Sequence, residues 1–292
     1  MRTKKNLLFF TLPCFVLLLF SCTIDSDNKS TNEPEITSRI TPNEEVLRAF
    51  DTKYPYAKDI VWSNNETYYV ADFTELSKTI NAWFEPSGEW VLSKVSVTAE
   101  ELHKEVSIAL KEDSFTEYEI ESRSLLKRKD FEDIYVLEAE KNNRSYNLYF
   151  STGGDFIKTI AHDYNFVDSP VSIPAAITDF VTSSFNNPAF LDLWYDSLGM
   201  KVGISESGTY KIVAFDSTSL WICTIWNVEE TNVPIVVMDS FKNSKYGSKN
   251  VQSTKIKENN EEVAYLFYFS NEGKQSIATL TETGRFKSIL SY

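Results

Sequence analysis

The chain repeats one hairpin sequence four times, and this repetition constrains the fold more than any other feature. Each copy has a strand with alternating apolar residues, a short turn, and an aromatic residue two positions after the turn. The last turn positions are Gly88, Gly154, Ser219 and Gly284. They lie roughly 65 residues apart, a fixed period that indicates tandem structural repeats. Glycine suits a turn residue with positive φ, so Ser219 predicts a third turn that differs or is strained.

Each hairpin is preceded by a helix signal and two further strand signals. Helices are predicted at 43–54, at about 99–111, and from Pro174 and Pro234 onward. Thr41 is the predicted N-cap of the first helix. Every repeat therefore reads as one helix plus a four-stranded antiparallel meander, which makes the fold class α+β.

One such repeat is small for a stable core, so the repeats are expected to pair. The pattern is interrupted near 163–170, where Asn165, Asp168, Ser169 and Pro170 stand. We therefore predict two domains of two repeats each, at 42–165 and 170–292.

Strand alternation separates two faces of the predicted sheets. One face is apolar in every copy and is expected to pack on the helices; its members are Ala82, Phe84, Leu148, Phe150, Val213, Phe215, Ala278 and Leu280. The aromatic residues after the turn, Trp90, Phe156, Trp221 and Phe286, are expected to pair across the hairpin. The opposite face changes from copy to copy, with Trp83, Tyr149, Ala214 and Thr279 in equivalent positions. Any function encoded in the hairpin is expected on this variable face.

Aromatic and amide side chains of the first two repeats form the candidate binding face. Its members are Trp62, Tyr68, Asn81, Trp83, Asn147 and Tyr149. Tyrosine and tryptophan beside an amide suit contacts with proteins or glycans. The alternative is that these residues belong to the core of a sheet covered on both sides.

The N-terminus has the pattern of a secretion signal. Arg2, Lys4 and Lys5 precede an apolar stretch at 7–20, which is short for a membrane span. Ser21-Cys22 at its end resembles a bacterial lipobox, which predicts a signal peptide at 1–21 and lipid on Cys22. Residues 22–41 are polar and predict a flexible tether. The expected location is the cell envelope, as an outer-membrane lipoprotein that faces the periplasm or is exported; a plain secretory signal or an uncleaved anchor is the alternative.

Charge and residue types limit the expected chemistry. The net charge of −13 argues against nucleic acid as a partner. The two histidines, His103 and His162, have no metal-ligand spacing, so neither a metal nor another cofactor is expected. Cys223 is the one cysteine after Cys22 and reads as a small core residue. No nucleophile motif is found, so no catalytic residue is assigned and a monomer without enzymatic activity is expected.

Several segments resemble the β-lactamase-inhibitor-like, PepSY-like family of secreted bacterial proteins. They are Val46–Phe50, Tyr68–Phe73, Trp83–Trp90, Tyr135–Glu140 and Leu148–Phe150, with looser likeness at Val233-Pro234, Phe241 and Tyr246. The resemblance implies tandem helix-plus-four-strand units whose sheets form concave surfaces. The inhibitor label in the family name rests on likeness of fold, which does not imply function.

Three hypotheses follow from these patterns. The first is a non-enzymatic lipoprotein that binds a secreted or envelope protein or peptide on its concave sheets and the membrane through lipid on Cys22. The second is an inhibitor of a secreted hydrolase. The third is an enzyme with an unrecognised carboxylate site.

Overall fold

Each repeat folds into one helix followed by four antiparallel strands, as the sequence predicts. The computed structural model describes residues 40–112, 114–162, 168–197 and 199–292. The first repeat contains α1 (Glu44–Lys53), β1 (Lys58–Asn65), β2 (Tyr68–Glu75), β3 (Lys78–Phe84) and β4 (Trp90–Ser96). The second contains α2 (Lys104–Ala109), β5 (Glu119–Arg128), β6 (Ile134–Lys141), β7 (Arg144–Ser151) and β8 (Phe156–His162).

The last two repeats have the same order of elements. The third contains α3 (Ala175–Ser184), β9 (Ala189–Asp196), β10 (Gly199–Glu206), β11 (Thr209–Phe215) and β12 (Trp221–Asn227). The fourth contains α4 (Ile235–Lys242), β13 (Val251–Glu258), β14 (Val263–Asn271), β15 (Lys274–Thr281) and β16 (Phe286–Ser291). Short 3-10 turns at Ala99–Glu101 and Glu230–Asn232 precede α2 and α4.

Repeats pair edge to edge into two eight-stranded antiparallel sheets. Strand β4 pairs with β5 in the first sheet, and β12 pairs with β13 in the second. The predicted fold class, two domains of two repeats, is therefore confirmed. Most of the predicted break between the domains, 163–170, lies outside the described residues, so the bounds 42–165 and 170–292 stay predictions. The predicted signal peptide (1–21), Cys22 and all but the last two residues of the tether (22–41) also lie outside the described residues.

Two helix predictions need correction. Asn43, rather than Thr41, caps α1, because its side-chain oxygen accepts a hydrogen bond of 2.9 Å from the Val46 amide. The second helix is shorter than its apolar spacing suggests. Leu102 has extended backbone angles, which separate the 3-10 turn from α2 and leave the helix only six residues.

The helix-facing side of each sheet is the one that the alternation predicts. Its eight apolar hairpin residues have no measurable exposure, and each pair packs in a cluster with the helix of its own repeat. The four residues that follow the turn also pair as predicted. They form the cross-strand pairs Phe84–Trp90, Phe150–Phe156, Phe215–Trp221 and Leu280–Phe286.

The hairpin turns explain why glycine recurs at their last position. Gly88, Gly154 and Gly284 have φ between 82° and 88°. A Cβ atom on any of them would also lie 2.7 Å from a backbone carbonyl oxygen of the adjacent helix segment. Glycine therefore meets two requirements, a positive φ and a close approach to the helix backbone.

The third turn keeps the same hydrogen bonds with a serine in this position. Ser219 donates its amide to the Asp216 carbonyl at 3.1 Å, and Asp216 donates its amide to the Leu220 carbonyl at 2.9 Å. The Asp216 carboxylate also accepts from the Thr218 and Leu220 amides. Ser219 has φ of 65°, a left-handed conformation that costs free energy for a residue with a Cβ atom. The third turn therefore keeps the conformation of the other turns and is strained at Ser219.

Replacing Ser219 with glycine is expected to raise the free energy of unfolding by about 0.5–1 kcal/mol, since the left-handed strain disappears. Chemical denaturation of the variant and the parent measures the change. Ser217→Gly in the same turn is the matched control, because Ser217 lacks a positive φ. A gain of equal size in both variants would contradict the strain at Ser219.

Candidate binding face

The two central residues of the predicted binding face are buried. Trp83 is 2% exposed and Tyr149 is 1% exposed. Both side chains point away from the helices, as predicted, but neither lies on an open surface. The expectation of an open face in the first two repeats is therefore wrong, and the alternative of a sheet covered on both sides holds at these two positions.

The second sheet covers them. Trp83 and Tyr149 belong to an apolar cluster with Val136, Leu92 and other residues of the first sheet. From the second sheet this cluster takes Leu191, Trp194, Tyr210 and Ile212, which lie on β9 and β11. Gly203 on β10 lets these rings approach, since a Cβ atom there would stand 3.1 Å from the Tyr210 ring and 3.4 Å from Trp194.

A buried group of charges joins the two sheets beside this cluster. Asp192 on β9 is fully buried and contacts two cations of the first sheet. Arg128 donates to its carboxylate at 2.6 Å, and the Lys158 ammonium lies 2.5 Å from the other oxygen. Arg128 also donates to the Leu191 carbonyl at 2.6 Å. Each carboxylate oxygen of Asp192 therefore lies beside a cation, which offsets part of the cost of burying its charge.

Tyr149 is held by a second buried carboxylate. Its hydroxyl donates to Asp168 at 2.6 Å, and the Lys94 ammonium lies 3.3 Å from the other oxygen of Asp168. Burial, with the nearby charge of Asp168, raises the pKa of the Tyr149 phenol far above its usual range. The phenol therefore stays protonated and acts as a hydrogen-bond donor.

The other predicted members separate between the two sides of the sheet. Tyr68 packs on the Trp83 ring, with centroids 5.7 Å apart, and Asn81 accepts a hydrogen bond from the Trp83 indole. Asn147 is 1% exposed and lies in the same covered sheet face. The predicted position of Trp62 on this face is wrong, because Trp62 pairs with helix-facing Ala71 and contacts the ring of Phe50 on α1.

The helix-free side of β12–β16 contributes no residue to the described intersheet cluster. Register places its side chains in one continuous patch. Ile225 pairs with Lys257, Lys255 with Leu266, Tyr268 with Ile277, and Ile277 with Leu290. We call this patch the lysine face: Ile225, Lys255, Lys257, Leu266, Tyr268, Ile277 and Leu290. It adjoins the intersheet cluster, because Ile225 also pairs with Ile212.

The lysine face combines apolar side chains with two cations. Lys255 and Lys257 are partly buried, and none of the ion pairs among the described residues includes either of them. The Lys255 ammonium lies 5.1 Å from the centroid of the Tyr268 ring. Burial lowers the pKa of Lys255 from its usual range, and this desolvation has no compensating carboxylate. In a chain with 42 acidic and 29 basic residues, two lysines without an ion-pair partner among the described residues distinguish this face.

Two residues of types that often serve in catalysis, His103 and Cys223, have packing contacts within the fold. The His103 ring contacts the Thr152 carbonyl at 3.2 Å and packs on Tyr135. Cys223 is buried, and burial raises the pKa of its thiol, which disfavours the nucleophilic thiolate. Within the part of the chain that the structure describes, no group of three or more histidine, cysteine or acidic residues is placed to hold a metal ion.

A family model matches the chain over residues 67–158 and 199–284, more than half of its length. The family is described as "Putative beta-lactamase-inhibitor-like, PepSY-like". The chain belongs to this family. The two matched segments fall in the two sheets of this PepSY-like chain, which agrees with the resemblance found in its sequence.

Several solved structures with similar chains come from Bacteroides species. A BLIP-like protein from Bacteroides fragilis is 23% identical, with a TM-score of 0.43 over 46% of this chain and 96% of the other. A DUF2874 family protein from Bacteroides uniformis is 23% identical, with a TM-score of 0.41 over 43% and 94%. A protein from Bacteroides eggerthii with the description "putative periplasmic proteins" is 25% identical, with a TM-score of 0.40 over 41% of this chain and 89% of the other. No curated protein sequence matches the chain.

Sequence reasoning missed the lysine face of this PepSY-like protein, although one signal was present. In Thr254-Lys255-Ile256-Lys257, alternation places both lysines on one side of β13 and Ile256 on the helix side. The variable hairpin position pointed instead to Trp83 and Tyr149, because those residues are aromatic. Their burial depends on contacts with residues of β9 and β11, and the first of these, Leu191, lies about forty positions after Tyr149 in the chain.

Proposed function

We propose that this chain is a non-enzymatic cell-envelope protein that binds a protein or peptide segment on its lysine face. The observation that carries the proposal is the patch itself, in which two cations without an ion-pair partner among the described residues stand beside apolar residues of the neighbouring strands. Tyrosine and buried apolar residues contribute much of the affinity at the centre of interaction surfaces, and a desolvated cation there gains a partner when the bound molecule supplies an anion.

The absence of enzymatic activity is part of the proposal. The two buried carboxylates, Asp168 and Asp192, are both engaged by lysine or arginine side chains. Both carboxylates are buried and occupied by these contacts within the protein, which leaves neither of them accessible to a substrate.

The envelope location is supported by the N-terminal sequence. A basic start, an apolar stretch and Ser21-Cys22 are the pattern of a lipoprotein signal. None of the helices in the described residues is long and apolar enough to cross a membrane. We propose that lipid on Cys22 anchors the protein in the outer membrane and that the polar segment at 22–41 connects this anchor to the two sheets.

Inhibition of a secreted hydrolase is the narrower form of this proposal, and the family description names an inhibitor of this kind. In that case the hydrolase supplies the segment that occupies the lysine face. Inhibition and binding would then be lost together in the same variants.

Tyr268→Ala is expected to weaken binding by on the order of tenfold or more, because the ring lies at the centre of the face. Peptides are selected from a random dodecapeptide display library on the purified protein, and the affinity of the most enriched peptide is measured by calorimetry. Tyr56→Ala is the matched control, since Tyr56 is 69% exposed and belongs to the first repeat. Equal affinity for Tyr268→Ala and the parent would refute the lysine face as the binding site.

A further inference from the structure

We infer that the segment bound by the lysine face is acidic, with a carboxylate that pairs with Lys255 and a second that reaches Lys257. This inference rests on the proposed function, since it names the chemistry of the segment that occupies the same face. It distinguishes an acidic-apolar peptide from a purely apolar one.

The first reason is the free-energy cost of leaving the Lys255 ammonium unpaired when no peptide is bound. An ammonium group that is partly removed from water destabilises the fold unless a carboxylate pairs with it. Lys94 and Lys158, whose side chains are also largely buried, each have such a carboxylate. Lys255 has instead an aromatic ring at 5.1 Å, a weaker partner for a cation. A carboxylate from another molecule would supply what the fold leaves out.

The second reason is the arrangement of charge. Lys255 and Lys257 alternate on β13, so their side chains leave the same face of the sheet roughly 7 Å apart. An extended peptide has the same spacing between alternate side chains, so two acidic residues separated by one position can meet both lysines. Lys201, like Lys257, lies near Cys223. It pairs with Asp196 and therefore adds no further unpaired cation to the lysine face.

The third reason is the apolar frame around the lysines. Leu266 lies directly across from Lys255, and Tyr268 and Ile277 extend the patch toward the edge strand β16. Leu290 on that strand is 59% exposed. A matching segment therefore carries apolar residues beside its acidic ones. The net charge of −13 disfavours a long polyanion such as nucleic acid, because the rest of the surface repels it.

The test is the composition of selected peptides. Random dodecapeptides are panned in parallel on the parent protein, on Lys255→Met and on Lys242→Met. Lys242 is an exposed lysine on α4, so its replacement makes the same change in net charge away from the face. Peptides enriched in aspartate and glutamate on the parent and on Lys242→Met, with the enrichment lost on Lys255→Met, are the expected result.

Affinity provides the quantitative readout. The most enriched acidic peptide should bind Lys255→Met on the order of tenfold more weakly than Lys242→Met, the effect typical of a lost charged hydrogen bond. Lys255→Met should also have a higher Tm than the parent, because the unpaired ammonium is removed from its partly buried position. Correct folding of the variant is therefore verified in the same experiment.

Two outcomes overturn the inference. Selected peptides without acidic enrichment, or equal affinity of an acidic peptide for Lys255→Met and Lys242→Met, contradict the role of the carboxylate. If Tyr268→Ala still abolishes binding in that case, the proposed function stands and only the acidic chemistry fails. If the parent selects no peptide, or if Tyr268→Ala binds as the parent does, both proposals fail.

Discussion

Replacing Asp192 with alanine is expected to lower the free energy of unfolding by about 3–5 kcal/mol, the range found when one partner of a buried ion pair is removed. The carboxylate is fully buried and holds Arg128 and Lys158, whose side chains are 5% and 15% exposed. Its loss leaves two cations between the sheets without an anion. Unfolding in guanidinium chloride, followed by tryptophan fluorescence, measures the change.

Asp196→Ala on the same strand is the control for this prediction. Asp196 pairs with Lys201 at 3.2 Å but is 42% exposed, so its removal is expected to cost at most about 1 kcal/mol. The contrast isolates burial, since both variants lose one carboxylate of β9. Similar costs for Asp192→Ala and Asp196→Ala would contradict the assignment of the Asp192 group to the junction between the sheets.

Gly88→Ala is expected to lower the free energy of unfolding by more than the 1–3 kcal/mol that left-handed strain alone costs. Gly88 has φ of 86°, and the new Cβ atom would lie 2.7 Å from the Glu45 carbonyl oxygen and 3.5 Å from the Ala49 Cβ atom. The hairpin and α1 must therefore move apart. Such a shift separates Phe84 from Phe50, whose ring centroids are 6.0 Å apart. Thermal and chemical unfolding of the variant measure the loss.

Gly273→Ala separates the strain from the collision. Gly273 has φ of 76°, but a Cβ atom there meets no heavy atom within 4 Å. It carries the cost of the left-handed conformation without the contact with a helix. We expect Gly88→Ala to be the more destabilised of the two. Equal losses would mean that the turn does not press on α1, and that glycine recurs in the hairpin for its φ alone.

Much of the fold could be predicted because its determinants are local. The four turns, the apolar alternation of β3, β7, β11 and β15 and the aromatic residue after each turn are all visible within nine residues. They gave the order of elements in each repeat and the correct helix-facing side. The Ser219 turn was also foreseen as exceptional, because only one copy lacked glycine.

The predicted binding face shows where local reasoning failed. Alternation correctly placed Trp83 and Tyr149 on the side opposite the helices. A local pattern cannot tell an exposed aromatic residue from one covered by a distant strand, since both produce the same alternation. Trp62 was misplaced for a related reason: its side of the sheet depends on the bulge between Lys58 and Val61, which appears only in the pairing of β1 with β2.

The sequence by itself determined the repeat, the α+β class, the pairing of repeats into two sheets, and which residues face the helices. These properties follow from spacing along the chain, where neighbouring residues are fixed relative to one another by strand geometry. Only the tertiary structure decided which helix-free face is covered. The first sheet lies against β9 and β11 through the apolar cluster and the Asp192 charges, whereas β12–β16 retain two lysines without ion-pair partners among the described residues. That choice depends on contacts between residues far apart in sequence, and it moves the candidate site from the N-terminal pair of repeats to the C-terminal pair.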